Sequence, residues 1–246
     1  MEIFEKKEFD SRRVLDKHII FICDHASNKI PKKFNNLGLS KDKLRSHIGW
    51  DIGAKKIALM LAEKLNQSIF MSNYSRLLID LNRNKKSPDL VISRSFGIDI
   101  PMNKELNFSQ KKIRIQKYYD PYHYELKTLV LKKKKQYEKV SLVSIHSFTK
   151  NGILFDRGPH LGLLHGKNVN LLLFLRKYLI RKNIHFGINY PYSGYLYNFT
   201  LDRASQHGKH DNLCIEIRND LISCEKGIRN YSRILGKIFR DFLNER

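Results

Sequence analysis

The chain has 246 residues, with 46 Lys and Arg against 24 Asp and Glu, a formal net charge of +22, and 41% hydrophobic residues. That apolar content excludes wholesale disorder and suits one ordinary domain, residues 1–246, with a core of its own. Three cysteines, Cys23, Cys214 and Cys224, exclude a disulfide framework and fit a reducing compartment. No run approaches the roughly 18 to 20 apolar residues that span a bilayer. The stretch from Met1 to Asp10 shows no readable secretory or lipidation signal, so a cytoplasmic protein without a membrane partner is expected.

Short apolar runs alternate with longer amphipathic stretches, which predicts an α/β fold around a buried sheet. The first strand is read over residues 18–23, followed by a helix over 51–66 with Ile52, Ile57, Leu61 and Leu65 near helical spacing. Two strands are expected at 68–72 and 76–81. Residues 109–138 are helical in character, and Asp120-Pro121 divides them into two helices. Strands follow at 140–145, leading into His146, and at 161–164, then a helix at 168–182 and a strand at 185–189. Residues 190–210, with two Gly and one Pro, read as a long functional loop. A strand at 213–218 and a helix at 224–243, apolar at Ile228, Tyr231, Leu235, Ile238, Phe239 and Phe242, close the chain.

Polar residues collect where strands end: Asp24-His25-Ala26-Ser27-Asn28, His47-Ile48-Gly49-Trp50-Asp51, residues 75–83, His146-Ser147-Phe148, and Glu216-Ile217-Arg218-Asn219-Asp220. Parallel strands would bring them together in the crevice beyond their carboxyl ends, where open α/β sheets bind ligands. His25, His146 and Asp51 are a plausible zinc set, since imidazole and carboxylate both suit Zn²⁺ and a catalytic site leaves a position for water. Each histidine could equally be a hydrogen-bonded structural residue, and Asp51 the N-cap of its helix. Glu216, inside an apolar strand, is either a general base or the partner of Arg218 on the same strand face. Arg76, Arg83 and Arg218 could clamp substrate carboxylates or pair with Asp80 and Asp220. Arg203, in the long loop, is either a substrate contact or part of a loop cap.

No G-x-S-x-G elbow, P-loop or G-x-G-x-x-G is present, which disfavours serine hydrolases and nucleotide binders. The basic residues are scattered in pairs, with one run at Lys132 to Lys135 and no recognised nucleic-acid-binding motif, so nucleic acid is a disfavoured partner.

The five polar blocks, with Ile30-Pro31 after the first and Ile52-Gly53-Ala54 after the second, resemble the N-formylglutamate amidohydrolase family and stand in its order. The resemblance implies a three-layer α/β/α sandwich with a mixed central sheet, like that of zinc carboxypeptidases. It implies zinc-dependent hydrolysis of N-formyl-L-glutamate to formate and L-glutamate. By that analogy His25 and His146 match metal-ligand positions, Glu216 matches the base that activates water, and Arg76, Asn82 and Arg83 match positions that hold a substrate carboxylate or the polarised carbonyl. Zinc carboxypeptidases carry a glutamate three residues after the first histidine. Asn28 stands there in this chain, so Asp51 is favoured as the third ligand. Deacylation of another N-acyl amino acid, or nucleic-acid binding on the same scaffold, are the alternatives.

Overall fold

The computed structural model describes residues 2–9, 16–152 and 156–245; the two ends of the N-terminal stretch considered above, Met1 and Asp10, lie outside them. In chain order come β1 (Phe4–Lys7), β2 (Lys17–Cys23), α1 (Lys41–Arg45), α2 (Ala54–Leu65), β3 (Ser68–Ser72), β4 (Arg94–Ser95) and β5 (Ile98–Asp99). Then follow α3 (Pro101–Lys104), α4 (Phe108–Arg114), α5 (Asp120–Lys134), β6 (Lys139–Phe148), β7 (Leu161–Leu164) and α6 (Asn170–Arg181). The last are β8 (Phe186–Ile188), α7 (Gly194–Tyr197), α8 (Phe199–Ala204), β9 (Asn212–Arg218) and α9 (Glu225–Asn244).

Seven strands form one sheet in the order β1-β3-β2-β6-β9-β7-β8, and β4 and β5 form a separate hairpin. The sheet is mixed: β3, β2, β6 and β9 run parallel, β1 is antiparallel to β3, and β7 is antiparallel to β9 but parallel to β8. Its central strands are apolar on both faces because helices cover both. Ile19, Phe21 and Cys23 of β2 enter a core with α2, α6 and α9. Ile20 and Ile22 enter a second core with α5 and the segment Leu77 to Leu81. This is the expected three-layer sandwich, with the cores on opposite sheet faces.

Helix α2 presents Ile57, Ala58, Leu61, Ala62 and Leu65 to the first core, at the spacing of one helical face. Its N-cap is Gly53 at φ 82°, where a β-carbon would lie 2.3 Å from the Ile222 carbonyl oxygen. Only glycine fits both the backbone and the space. Asp51 is therefore not the cap, and its carboxylate is available elsewhere.

Two expected elements differ. Residues 76–81 are turns rather than a strand, because side chains take the carbonyls that a sheet neighbour would otherwise use. Asn103 Nδ2 donates to Leu77 O, the buried Arg114 guanidinium to Leu78 O, and Thr200 Oγ1 to Leu81 O. The break at Asp120-Pro121 is a wide helical turn, Ile115–Tyr119, joining α4 to α5 without leaving helical geometry. It accommodates Pro121, which has no amide hydrogen to donate. The 190–210 stretch also holds more structure than expected, since α7 and α8 lie within it. Among the described residues, no helix is long and apolar enough to cross a membrane.

Candidate active site

The carboxyl ends of the parallel strands open on a cavity of about 330 Å³ lined by His25, Asp51, Arg76, Asn82, Arg83, His146 and Glu216. His25 stands two residues past the end of β2. His146 and Glu216 are register partners on the adjacent parallel strands β6 and β9. Asp51 arrives on the turn before α2, and its amide donates to the His25 carbonyl at 3.0 Å. Three distant stretches thus meet in one buried cluster: Asp51 Oδ2 lies 2.7 Å from His146 Nδ1 and 3.4 Å from His25 Nδ1.

On β7, Gly162 pairs with Glu216, and a β-carbon there would lie 2.1 Å from the Tyr190 carbonyl oxygen. Glu216 is buried with Oε2 lacking any hydrogen bond. Burial foremost, and the Asp51 charge with it, outweighs His146 and raises the Glu216 carboxyl to about 7.

Around the histidines the balance reverses. Burial and Arg76 oppose a charged His25, but Asp80 and Asp51 outweigh them and raise its pKa. Burial likewise opposes a charged His146, but Asp24 and Asp51 raise its pKa well above the usual range. Burial disfavours the Asp51 carboxylate, yet the two histidines hold its pKa below the ordinary value. The buried carboxylates therefore favour positive charge on the two imidazoles. A divalent cation supplies the same charge at one point, and imidazole nitrogen with carboxylate oxygen is a zinc donor set. One ligand atom each from His25, Asp51 and His146 lies within 4.8 Å of the others, and His25 Nδ1 has no hydrogen bond. The residues present fit a metal ion.

Arg76 donates to Asp80 Oδ2 at 2.7 Å and lies 3.9 Å from Asp51 Oδ1. Arg83 donates to Asp89 Oδ2 at 2.6 Å and lies over the Tyr197 ring. Asn82 is clamped at both ends, giving Nδ2 to Tyr197 O and accepting at Oδ1 from the Thr200 amide. Arg203 and Arg218 are not brought to this cavity. Arg218 turns to Asp220 at 2.8 Å and to the Gly158 carbonyl at 2.9 Å, so it does not pair with Glu216. Arg203 lines a separate hollow beside His123 and Lys127, exposed on α8. Asn28 lines a different, wider hollow with Lys29, Pro31 and Tyr74, away from the histidines. Asp24 stands in the first polar block of the sequence without a role of its own, and Tyr192 and Tyr197 stand in none. Asp24 had a signal, an acid directly after a buried apolar strand; the tyrosines had none beyond their place in the long loop.

Residues 17–223 match the profile of the N-formylglutamate amidohydrolase family. The chain belongs to that family. Membership makes it a hydrolase of amide bonds, and the match spans every residue that lines the cavity. No curated protein sequence matches the chain. Among solved structures, a gene product of Agrobacterium tumefaciens is 28% identical, with a TM-score of 0.89 over 99% of this chain and 96% of that one. An N-formylglutamate amidohydrolase from Ralstonia eutropha JMP134 is 16% identical, with a TM-score of 0.74 over 99% and 98% of the two chains, and shares the fold.

Proposed function

We propose that this chain, acting as one N-formylglutamate amidohydrolase-like domain over residues 1–246, is a zinc-dependent amidohydrolase whose substrate is N-formyl-L-glutamate, released as formate and L-glutamate. The observation that carries this reading is the meeting of His25, Asp51 and His146 in one cavity with the unpartnered carboxylate of Glu216. The three are the residues that would hold the metal. When bound, zinc supplies a Lewis acid that polarises the amide carbonyl and makes water more acidic.

The rest of the chemistry falls to the chain's own side chains. Glu216, with its carboxyl raised to about 7, takes a proton from the attacking water near neutral pH and passes it to the departing amine. Arg76 stays charged beside Asp80 and Asp51 and offers N–H groups to the oxygen on which negative charge develops. Arg83 and Asn82 hold a substrate carboxylate, Arg83 through the donors that Asp89 leaves over and Asn82 through the Nδ2 hydrogen not given to Tyr197 O. Tyr192 and Tyr197 line the same cavity.

The test is zinc content by elemental mass spectrometry, together with formate release from N-formyl-L-glutamate, in the wild type and His146→Ala. Near-stoichiometric zinc and rapid release are expected in the wild type, with both lost in a folded variant. A wild type that takes up no added zinc, or hydrolysis that survives His146→Ala undiminished, would overturn the reading. Faster release from an N-acetyl or longer N-acyl amino acid would replace the substrate and keep the chemistry.

A further inference from the structure

Behind the cavity wall, each histidine ends on an acid that does not line the cavity. His25 Nε2 lies 2.8 Å from Asp80 Oδ1, and His146 Nε2 lies 3.5 Å from Asp24 Oδ2. With Asp51 between the two rings, the order is Asp80, His25, Asp51, His146, Asp24, acid and imidazole alternating through five buried groups. Both end acids are themselves fastened. Asp80 receives Arg76 at 2.7 Å and the Asn82 amide at 2.9 Å. Asp24 receives the Tyr122 hydroxyl at 2.8 Å, from α5 and 98 residues along the chain.

Asp24 is 1% exposed, is absent from the cavity lining and does not belong to the group of candidate ligands. Its Oδ2 and the His146 Nε2 face each other at 3.5 Å, and neither has a hydrogen-bond partner. An imidazole can bind a cation through either nitrogen, and the group behind the ring decides which one carries the proton. An acid behind Nε2 keeps the proton there and leaves the Nδ1 lone pair facing forward.

We propose that Asp24, held in place by Tyr122, is a positioning residue for the metal centre: it fixes His146 with Nδ1 toward the cation, as Asp80 does for His25. The inference rests on the metal-binding reading of His25, Asp51 and His146. It gives Tyr122, buried in the opposite core from α2, a role in the site that its place in the sequence does not suggest.

The test is zinc affinity, measured by chelator competition on protein stripped of metal and refilled with zinc alone. Asp24→Asn and Tyr122→Phe are each expected to weaken zinc binding about 10- to 100-fold. Tyr178→Phe, which loses a hydroxyl bonded to Asp241 on α9, is expected to bind as the wild type does. In the zinc-loaded wild type, the His146 ring nitrogens are expected to give the NMR pattern of a protonated Nε2. Asp24→Asn and Tyr122→Phe that melt earlier without metal yet bind zinc within twofold of the wild type would make the pair merely structural and overturn the proposal. A protonated Nδ1 on His146 in the zinc-loaded protein would overturn it even if neither variant folds. A wild type that binds no zinc defeats the metal reading itself, and the positioning role falls with it.

Discussion

Histidines flank the apolar run of β2, and both are buried. His18, near its amino end, lies with Nε2 2.9 Å from Ser68 Oγ and its ring stacked on Tyr137; burial first, then the Lys133 charge, pushes its pKa down to about 3. His25, just past the carboxyl end, is buried as fully, yet Asp80 and Asp51 raise its pKa. Burial disfavours the charged ring in both places. The carboxylates around it make the difference, and they gather where β2, β6 and β9 end. One end of the sheet holds a neutral ring as packing material, while the other surrounds its ring with acids that favour positive charge.

The largest effect that would break this contrast is at the charged end. Glu216→Gln keeps the shape and removes the basic oxygen, so kcat/KM for amide hydrolysis should fall about 10²- to 10⁴-fold while zinc is retained. Steady-state kinetics beside a zinc assay decide it, and a variant within tenfold of the wild type would remove Glu216 from the chemistry.

At the quiet end the expected effect is smaller and depends on pH. An unfolded chain takes up a proton at His18 near pH 6.5, which the folded protein refuses until about pH 3. Stability therefore falls as pH drops through that window, by about 2 kcal/mol at pH 5. Urea unfolding at pH 7 and pH 5 should show the wild type losing about 2 kcal/mol more than His18→Gln between the two; identical pH dependence would contradict it. In metal-free protein His25 works in the opposite sense. Its raised pKa adds stability that is complete below pH 6.5 and lost as pH rises through the folded value. The smallest change is Ser68→Ala, which takes the partner from His18 Nε2 and should lower stability by about 1 kcal/mol, read from the same urea curves.

The charged end was the more legible in the sequence. An apolar run ending in Asp24-His25, and a glutamate inside Leu213 to Ile217, stand out because ionisable groups rarely follow or interrupt buried strands without a purpose. The central strands and long helices are legible for the same reason, as periodicity reports which face is buried. The segment 76–81 was misread because its alternation matches a strand, while the groups that pin it as turns, Asn103, Arg114 and Thr200, come from elsewhere in the chain. Arginines are harder still. Arg76 and Arg218 look alike in sequence, and only their neighbours send one to the cavity and the other to Asp220. Tyr122 carries no local sign of its hydroxyl's destination.

Gly162 leaves the space beside Glu216 to the Tyr190 carbonyl. That wall is main chain, with no rotamers to exchange, contributed by the β7 glycine and the segment just past β8. The lining also includes Tyr192 and Tyr197, whose side chains substitution can replace. Substitutions at those side chains can change the shape of the cavity while the backbone beside Glu216 stays as it is.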